Sequence, residues 1–218
     1  MPSRTSDPDP APDTPAAAPA AAPVPSGQPL RDTARDGLKI VVVGGFGVGK
    51  TTLVGSVSEI RPLSTEEVMT QAGVGIDDRE GVRTKTTTTV AFDFGRITLS
   101  PELVLYLFGT PGQDRFWFMW DELSTGALGA VVLADTRRLE ASFSAVDFFE
   151  SRGTRFVVAV NEFDGAFRYE PDEVRAALDL KPHVPVILCD ARHPRAATSV
   201  LVALIQHLLA AIAAPSST

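Results

Sequence analysis

The stretch "LKIVVVGGFGVGKTTLVGSVSEI", Leu38 to Ile60, decides the fold. Its first six residues are a continuous apolar, β-branched run of the kind that forms a strand buried on both faces. Gly44, four intervening residues, Gly49, Lys50 and Thr51 then satisfy G-x-x-x-x-G-K-[ST], and "TTLVGSVSEI" supplies a helix. Strand, glycine-rich turn and helix in that order predict a phosphate-binding loop. Such a loop must curl with its N–H groups pointing inward, and a Cβ at Gly44 or Gly49 would obstruct the turn or the ligand. The helix N-terminus adds partial positive charge. Gly44, Gly45, Phe46, Gly47, Val48, Gly49, Lys50, Thr51 and Thr52 are therefore the candidate phosphate-binding residues. Lys50 is suited to place an ammonium between β- and γ-phosphates, which also makes it a catalytic candidate, and the Thr51 hydroxyl is suited to Mg²⁺.

Working outward, "LKIVVV", "TTVAFDF", "LVLYLF", "ALGAVVLA", "RFVVAV" and "VPVILC" are the strand candidates. Between them lie "GKTTLVGSVSEI", "RFWFMWDEL", "SFSAVDFFESRG", "PDEVRAALDL" and "RAATSVLVALIQHLLAAIAA", several with apolar residues at helical spacing and bounded by Gly or Pro. This alternation predicts an α/β fold with a parallel sheet. The gap from Arg61 to Lys85 is too long and polar for an ordinary connection, and such loops in compact domains are usually functional or disordered.

The chain has 218 residues, 44% of them hydrophobic, enough for one domain with a real core plus a tail. Its net charge of -7 argues against nucleic acid and acidic lipid as partners, since both are bound mainly through Lys and Arg. A single cysteine, Cys189, excludes an internal disulfide framework and suits a reducing cytosol. Residues 1–36 hold nine prolines among Ala, Asp and Ser, which predicts a disordered or polyproline-like tail ahead of a domain spanning 37–214. The prolines also interrupt any signal-peptide run. The apolar segment Val200 to Ala214 contains Gln206 and His207 and is expected to be too short and polar to span a bilayer, so no direct membrane insertion is expected. His183, His193 and His207 show no metal-ligand spacing.

The base is read from "FVVAVNEFD". A buried strand ends at Asn161, and Asp164 follows three residues later, at the carboxyl edge of the sheet where ligands of open α/β folds sit. A carboxylate there can accept both N1–H and N2–H of guanine, and adenine offers no such pair. Asn and Asp after a strand are also common turn residues. The motif resembles the N-K-x-D box of the Ras-like small GTPases, with Glu162 in place of lysine. "DAR" at Asp190, Ala191 and Arg192 resembles the S-A-K loop that closes over guanine in that family, although a helix-capping role suits it too.

Further resemblances complete the pattern. The family's T-x-x-x-D-F aligns with Thr89, Asp93 and Phe94, which implies that Thr89 joins the Mg²⁺ shell when the γ-phosphate is present; Thr88 or Thr87 could substitute. Its D-x-x-G-Q is occupied by Gly109, Thr110, Pro111, Gly112 and Gln113. This implies that Gly112 offers its N–H to the γ-phosphate and that Gln113, the second catalytic candidate, orients the attacking water. The aspartate that normally holds Mg²⁺ is replaced by Gly109, which should weaken the metal or let water take its place. "TPGQ" read alone is also a good type II turn. In "RFWFMWDEL", five large side chains from Phe116 to Trp120 are consecutive, and a helix cannot bury them all on one face. Some should be exposed in one state of the switch, as partner surfaces are.

More narrowly, "GGFGVGKTTLVGSVSEI", "TTTTVAFDFG", "LFGTPGQDRFWFMWDEL" and "VVLADTRR" resemble the actinobacterial conservon GTPases, relatives of the MglA-type polarity switches. The resemblance implies a P-loop NTPase of the Ras-like three-layer kind, with a six-stranded mostly parallel sheet, about five helices and one antiparallel edge strand. It implies GTP/GDP and Mg²⁺ as ligands, a roadblock-type regulator and a sensor-kinase-like membrane protein as partners, and a cytoplasmic protein recruited to the membrane through them. A slow GTP-hydrolysing switch is the expected function, with Arg79, Arg83 and Arg115 as arginine-finger candidates in cis. The alternatives are a guanine-nucleotide-binding adaptor that hardly hydrolyses, and an ATP-dependent kinase or transferase, for which no acceptor site or lid is visible.

Overall fold

A computed structural model describes residues 36–70, 87–112 and 116–213. The strands are β1 (Asp36–Val43), β2 (Leu63–Thr70), β3 (Thr87–Thr98), β4 (Leu103–Gly109), β5 (Gly129–Ala134), β6 (Phe156–Asn161) and β7 (Val186–Cys189). The helices are α1 (Lys50–Val57), α2 (Met119–Ser124), α3 (Phe143–Ser151), α4 (Pro171–Ala177) and α5 (Pro194–Ala213). A 3-10 segment, Thr136–Ser142, leads into α3. The strands form one sheet in the order β2-β3-β4-β1-β5-β6-β7. Every pairing from β4 through β7 is parallel, while β3 runs antiparallel to both β2 and β4.

The period of two along β1 builds the three layers. Ile40 and Val42 face one side, where they meet Leu53 of α1 and Val200, Leu201 and Leu204 of α5. Val41 and Val43 face the other, against Trp120 of α2, Val146 and Phe149 of α3 and Val174 of α4. All four β1 residues have no solvent exposure. Each such side chain stabilises the fold by about 1.5–3 kcal/mol relative to exposure. Local sequence sets the helix starts as well: Pro171 opens α4, and the Glu170 N–H donates to Glu173 Oε2 at 2.8 Å.

The expected three-layer architecture and its five helices are present, and all six expected strands pair in the sheet. A seventh strand, β2, corrects the reading of Arg61 to Lys85 as loop throughout. β2 lies on the sheet edge, and its sequence, LSTEEVMT, lacks the apolar run of a central strand. Residues 71–86 lie outside the described residues, as do the tail before Asp36 and residues 214–218. Helix α5 starts and ends within one residue of the expected helix, and it extends N-terminal of the apolar segment that begins at Val200. Its 20 residues, which contain an 18-residue window of mean hydropathy 2.0, are enough to cross a membrane by length and composition. Here the helix packs on the sheet through Ala197, Val200, Leu201 and Leu204.

In "RFWFMWDEL" the helix starts only at Met119. Phe116, Met119 and Trp120 are buried, whereas Trp117 is 61% and Phe118 41% exposed, as the impossibility of burying five neighbours on one face requires.

Candidate functional site

The carboxyl ends of β1, β4, β6 and β7 meet along one edge of the sheet, and almost every described candidate residue lies there. The chain leaves β1 into the Gly44–Gly49 turn and enters α1 at Lys50. Gly49 adopts φ +101°, and a Cβ on it would come within 2.6 Å of Asn161 Nδ2. Only glycine fits both conditions. The Lys50 ammonium is buried, with Nζ donating to the carbonyls of Gly44 and Gly45 at 2.8 Å each. Burial pushes it down to about 8, against the opposing pull of Asp93. Gly112 sits against this loop: a Cβ there would lie 2.6 Å from Lys50 Nζ.

Asn161 holds the two halves of the site together. Its Nδ2 donates to the Val48 carbonyl at 2.9 Å, and its Oδ1 accepts from the Ala191 N–H at 3.0 Å. The side chain is buried, so removing it would strand a carbonyl and an amide at about 1–3 kcal/mol each. One amide thus fixes the phosphate loop to the Asp190–Arg192 turn. Asp164 stands beyond it, 83% exposed at its side chain, with Arg192 Nη1 on Oδ2 at 2.7 Å and Nη2 on Oδ1 at 3.0 Å. Arg192 also donates from Nη2 to Asp190 Oδ2 at 2.7 Å, and these bonds hold both carboxyls below their ordinary range. Glu162, at the lysine position of the base box, pairs with Arg168 at 3.0 Å.

The residue that sequence reading missed is Asp93. In the β3–β4 register it lies directly opposite Gly109. A Cβ built on Gly109 would fall 3.0 Å from both Asp93 Cβ and Asp93 Oδ2. The Asp93 carboxylate therefore fills the space that a side chain at position 109 would enter, and it accepts a 2.7 Å hydrogen bond from the Thr51 hydroxyl. Thr110, a residue of the same cleft, has a buried Oγ1 with no hydrogen-bond partner among the described residues. Asp93 had stood in the sequence only as part of an alignment; the glycine opposite was its signal, but only the strand register connects them.

Other expectations are placed differently. Thr89 falls inside β3, paired with Val68, about 13 Å along the strand from Asp93 at the usual rise per residue. The strand carries it past the last β3 residue paired with β4, because the β-branched run continues β3 instead of ending it. Gln113 lies outside the described residues, as do Arg79, Arg83 and Arg115. The arginine that does reach the phosphate loop is Arg138, whose Nη2 donates to the Phe46 carbonyl at 2.9 Å. Among the described residues no group of three or more His, Cys, Asp or Glu could hold a metal by itself.

A glycine-rich loop between β1 and α1, a buried lysine inside it and a G-domain-like strand order define a P-loop nucleotide-binding protein. Residues 42–211 match the family described as "Conserved hypothetical ATP binding protein", and the chain belongs to that family. An uncharacterized protein of Methanocaldococcus jannaschii is 30% identical over 132 residues, covering 60% of this chain and 73% of its own. Among solved structures, the FeoB G-domain of Methanococcus jannaschii matches with a TM-score of 0.53 at 14% identity, over 79% of this chain and 98% of that one. The G domain of the T. maritima FeoB iron transporter matches with a TM-score of 0.48 at 18% identity, over 80% and 98%.

Proposed function

We propose that the protein is a GTP-binding molecular switch that hydrolyses GTP slowly to GDP and phosphate. The observation that supports this reading is the Asn161 clamp, which joins the phosphate loop to the Asp190–Arg192 turn, from which Arg192 in turn contacts the Asp164 carboxylate. Guanine presents two adjacent donors to such a group. The ATP named in the family's description is the second reading, and it needs Asp164 to be incidental. Competition between GTP and ATP, repeated on Asp164→Ala, decides between them. GTP should be preferred by the wild type, and the variant should lose about 10- to 100-fold of that preference, as for hydrogen bonds to a charged group. An unchanged GTP preference in the variant would show the base assignment to be wrong.

The residues present fit Mg²⁺. Thr51, Asp93 and the unpartnered Thr110 hydroxyl form an all-oxygen set suited to a hard cation. One carboxylate is enough, since Mg²⁺ usually keeps waters and takes phosphate oxygens for the rest. When bound there, the ion neutralises charge on the β- and γ-phosphates. Lys50 leaves the Gly44 and Gly45 carbonyls to bind phosphate oxygens, and its fixed positive charge stabilises the leaving GDP oxygen as the γ-phosphorus bond to it breaks. Gln113 orients the water that attacks. Single-turnover hydrolysis should fall by about 10²-fold or more in Gln113→Ala. Equal rates for the two proteins, both matching free GTP, would leave the adaptor reading standing instead.

Signalling would run through the exposed Trp117 and Phe118 just before α2, next to the segment that meets the γ-phosphate. The narrower likeness to conservon switches, with a roadblock-type regulator and a sensor-kinase-like membrane protein as partners in the cytoplasm, rests on the sequence motifs.

A further inference from the structure

Beside the Asp190–Arg192 turn, a side-chain contact occupies the carboxylate read above as the partner of guanine. The Arg192 guanidinium lies on both oxygens of Asp164, Nη1 on Oδ2 at 2.7 Å and Nη2 on Oδ1 at 3.0 Å. Two parallel N–H donors in one plane on one carboxylate are also what guanine presents through N1–H and N2–H. We propose that Arg192 is a guanine surrogate: it caps Asp164 in the empty protein, and guanine binds by displacing it. The inference rests on the reading of Asp164 as the guanine-binding carboxylate.

The surroundings of Arg192 suit a gate more than a permanent brace. Its other anchor, Asp190, is held from two sides: Arg192 Nε donates to Oδ1 at 2.9 Å, and the Arg192 backbone N–H donates to the same oxygen at 2.9 Å. Asp190 is only 18% exposed at its side chain, whereas Asp164 is 83% exposed. An arginine released from Asp164 therefore stays tethered at Asp190, beside the site, and can return when guanine leaves. Because the Asp164 end is exposed, the contact is weak enough to be displaced. Adenine, lacking the donor pair, cannot take its place on the carboxylate. The competition lowers guanine affinity by the fraction of time Arg192 occupies Asp164, and recapture of Asp164 by Arg192 hastens the release of the base.

The test measures affinities and dissociation rates of GDP, IDP and ADP on the full chain, as wild type, Arg192→Ala and Arg192→Lys. The alanine variant should bind GDP about three- to fivefold more tightly and release it more slowly, the size expected for an exposed ion pair. ADP should be unaffected, and IDP, whose N1–H also needs the freed carboxylate, should gain by about the same factor as GDP. Lysine keeps the charge but not the planar fork, so Arg192→Lys should follow alanine. Weaker GDP binding in Arg192→Ala, or equal changes for GDP and ADP, would overturn the surrogate role. A wild type that does not distinguish GDP from ADP would instead overturn the guanine reading on which it rests.

Discussion

Lys50→Ala should lose nucleotide binding by about 100- to 1,000-fold, measured by calorimetry with GDP, while the empty protein stays folded. The size follows from truncating one partner of a desolvated charge pair. The ammonium is held by the Gly44 and Gly45 carbonyls at 2.8 Å each, and Lys50 itself lines the cleft beside Thr51 and Gly112. The same residue gives the wild type a pH dependence. Lys50 is lowered from 10.5 to about 8, chiefly by burial. Between those values the unfolded chain keeps a proton that the empty native protein has released, so the stability of the empty protein rises with pH across that window. Phosphate requires the charged form, so GDP binding must take that proton up. Affinity in EDTA should therefore fall by about tenfold per pH unit above pH 8, with proton uptake visible as a dependence of the heat on buffer. A flat profile, or full binding by Lys50→Ala, would remove the lysine from the site.

The second large effect concerns the exchange of Asp93 and Gly109. In Asp93→Asn, removal of Mg²⁺ should hardly change the GDP dissociation rate, whereas in the wild type it should raise it at least about tenfold, the order of effect for loss of a metal ligand or its support. Gly109→Asp alone should be destabilising. Its Cβ would lie 3.0 Å from Asp93 Oδ2, bringing a second carboxylate into an occupied place. The double exchange, Asp93→Gly with Gly109→Asp, should bring back both stability and the Mg²⁺ effect, because the carboxylate then enters the same space from the other strand. An Asp93→Asn protein with wild-type sensitivity to EDTA would show that the carboxylate does not serve the metal.

What was legible in the sequence was what is local. The Gly44–Thr52 motif carries its own strand and helix, and alternating apolar runs identify six strands because those strands are buried on at least one face. β2 was not legible, since an edge strand needs no apolar run and LSTEEVMT has none. The sequence shows Asp93 but not its place opposite Gly109, a pairing between two strands that no spacing along the chain reveals. Thr89 stands inside β3 for the related reason that four threonines fix an extended backbone but not where the strand ends. The Arg192 contact with Asp164 needed side-chain geometry; the sequence could offer only a loose likeness to a loop that closes over guanine.

Having the acidic group on β3 separates two tasks that the D-x-x-G pattern combines. In that pattern the carboxylate heads the very turn whose glycine senses the terminal phosphate, so a shift of the turn disturbs the metal. Here Gly112 lies in the segment after β4, while Asp93 is bonded into the sheet on the neighbouring strand. On the proposed switch reading, the segment after β4 would relax after phosphate loss without releasing a cation held at Asp93, and metal retention in the diphosphate state would become a property that mutation tunes independently of the conformational signal.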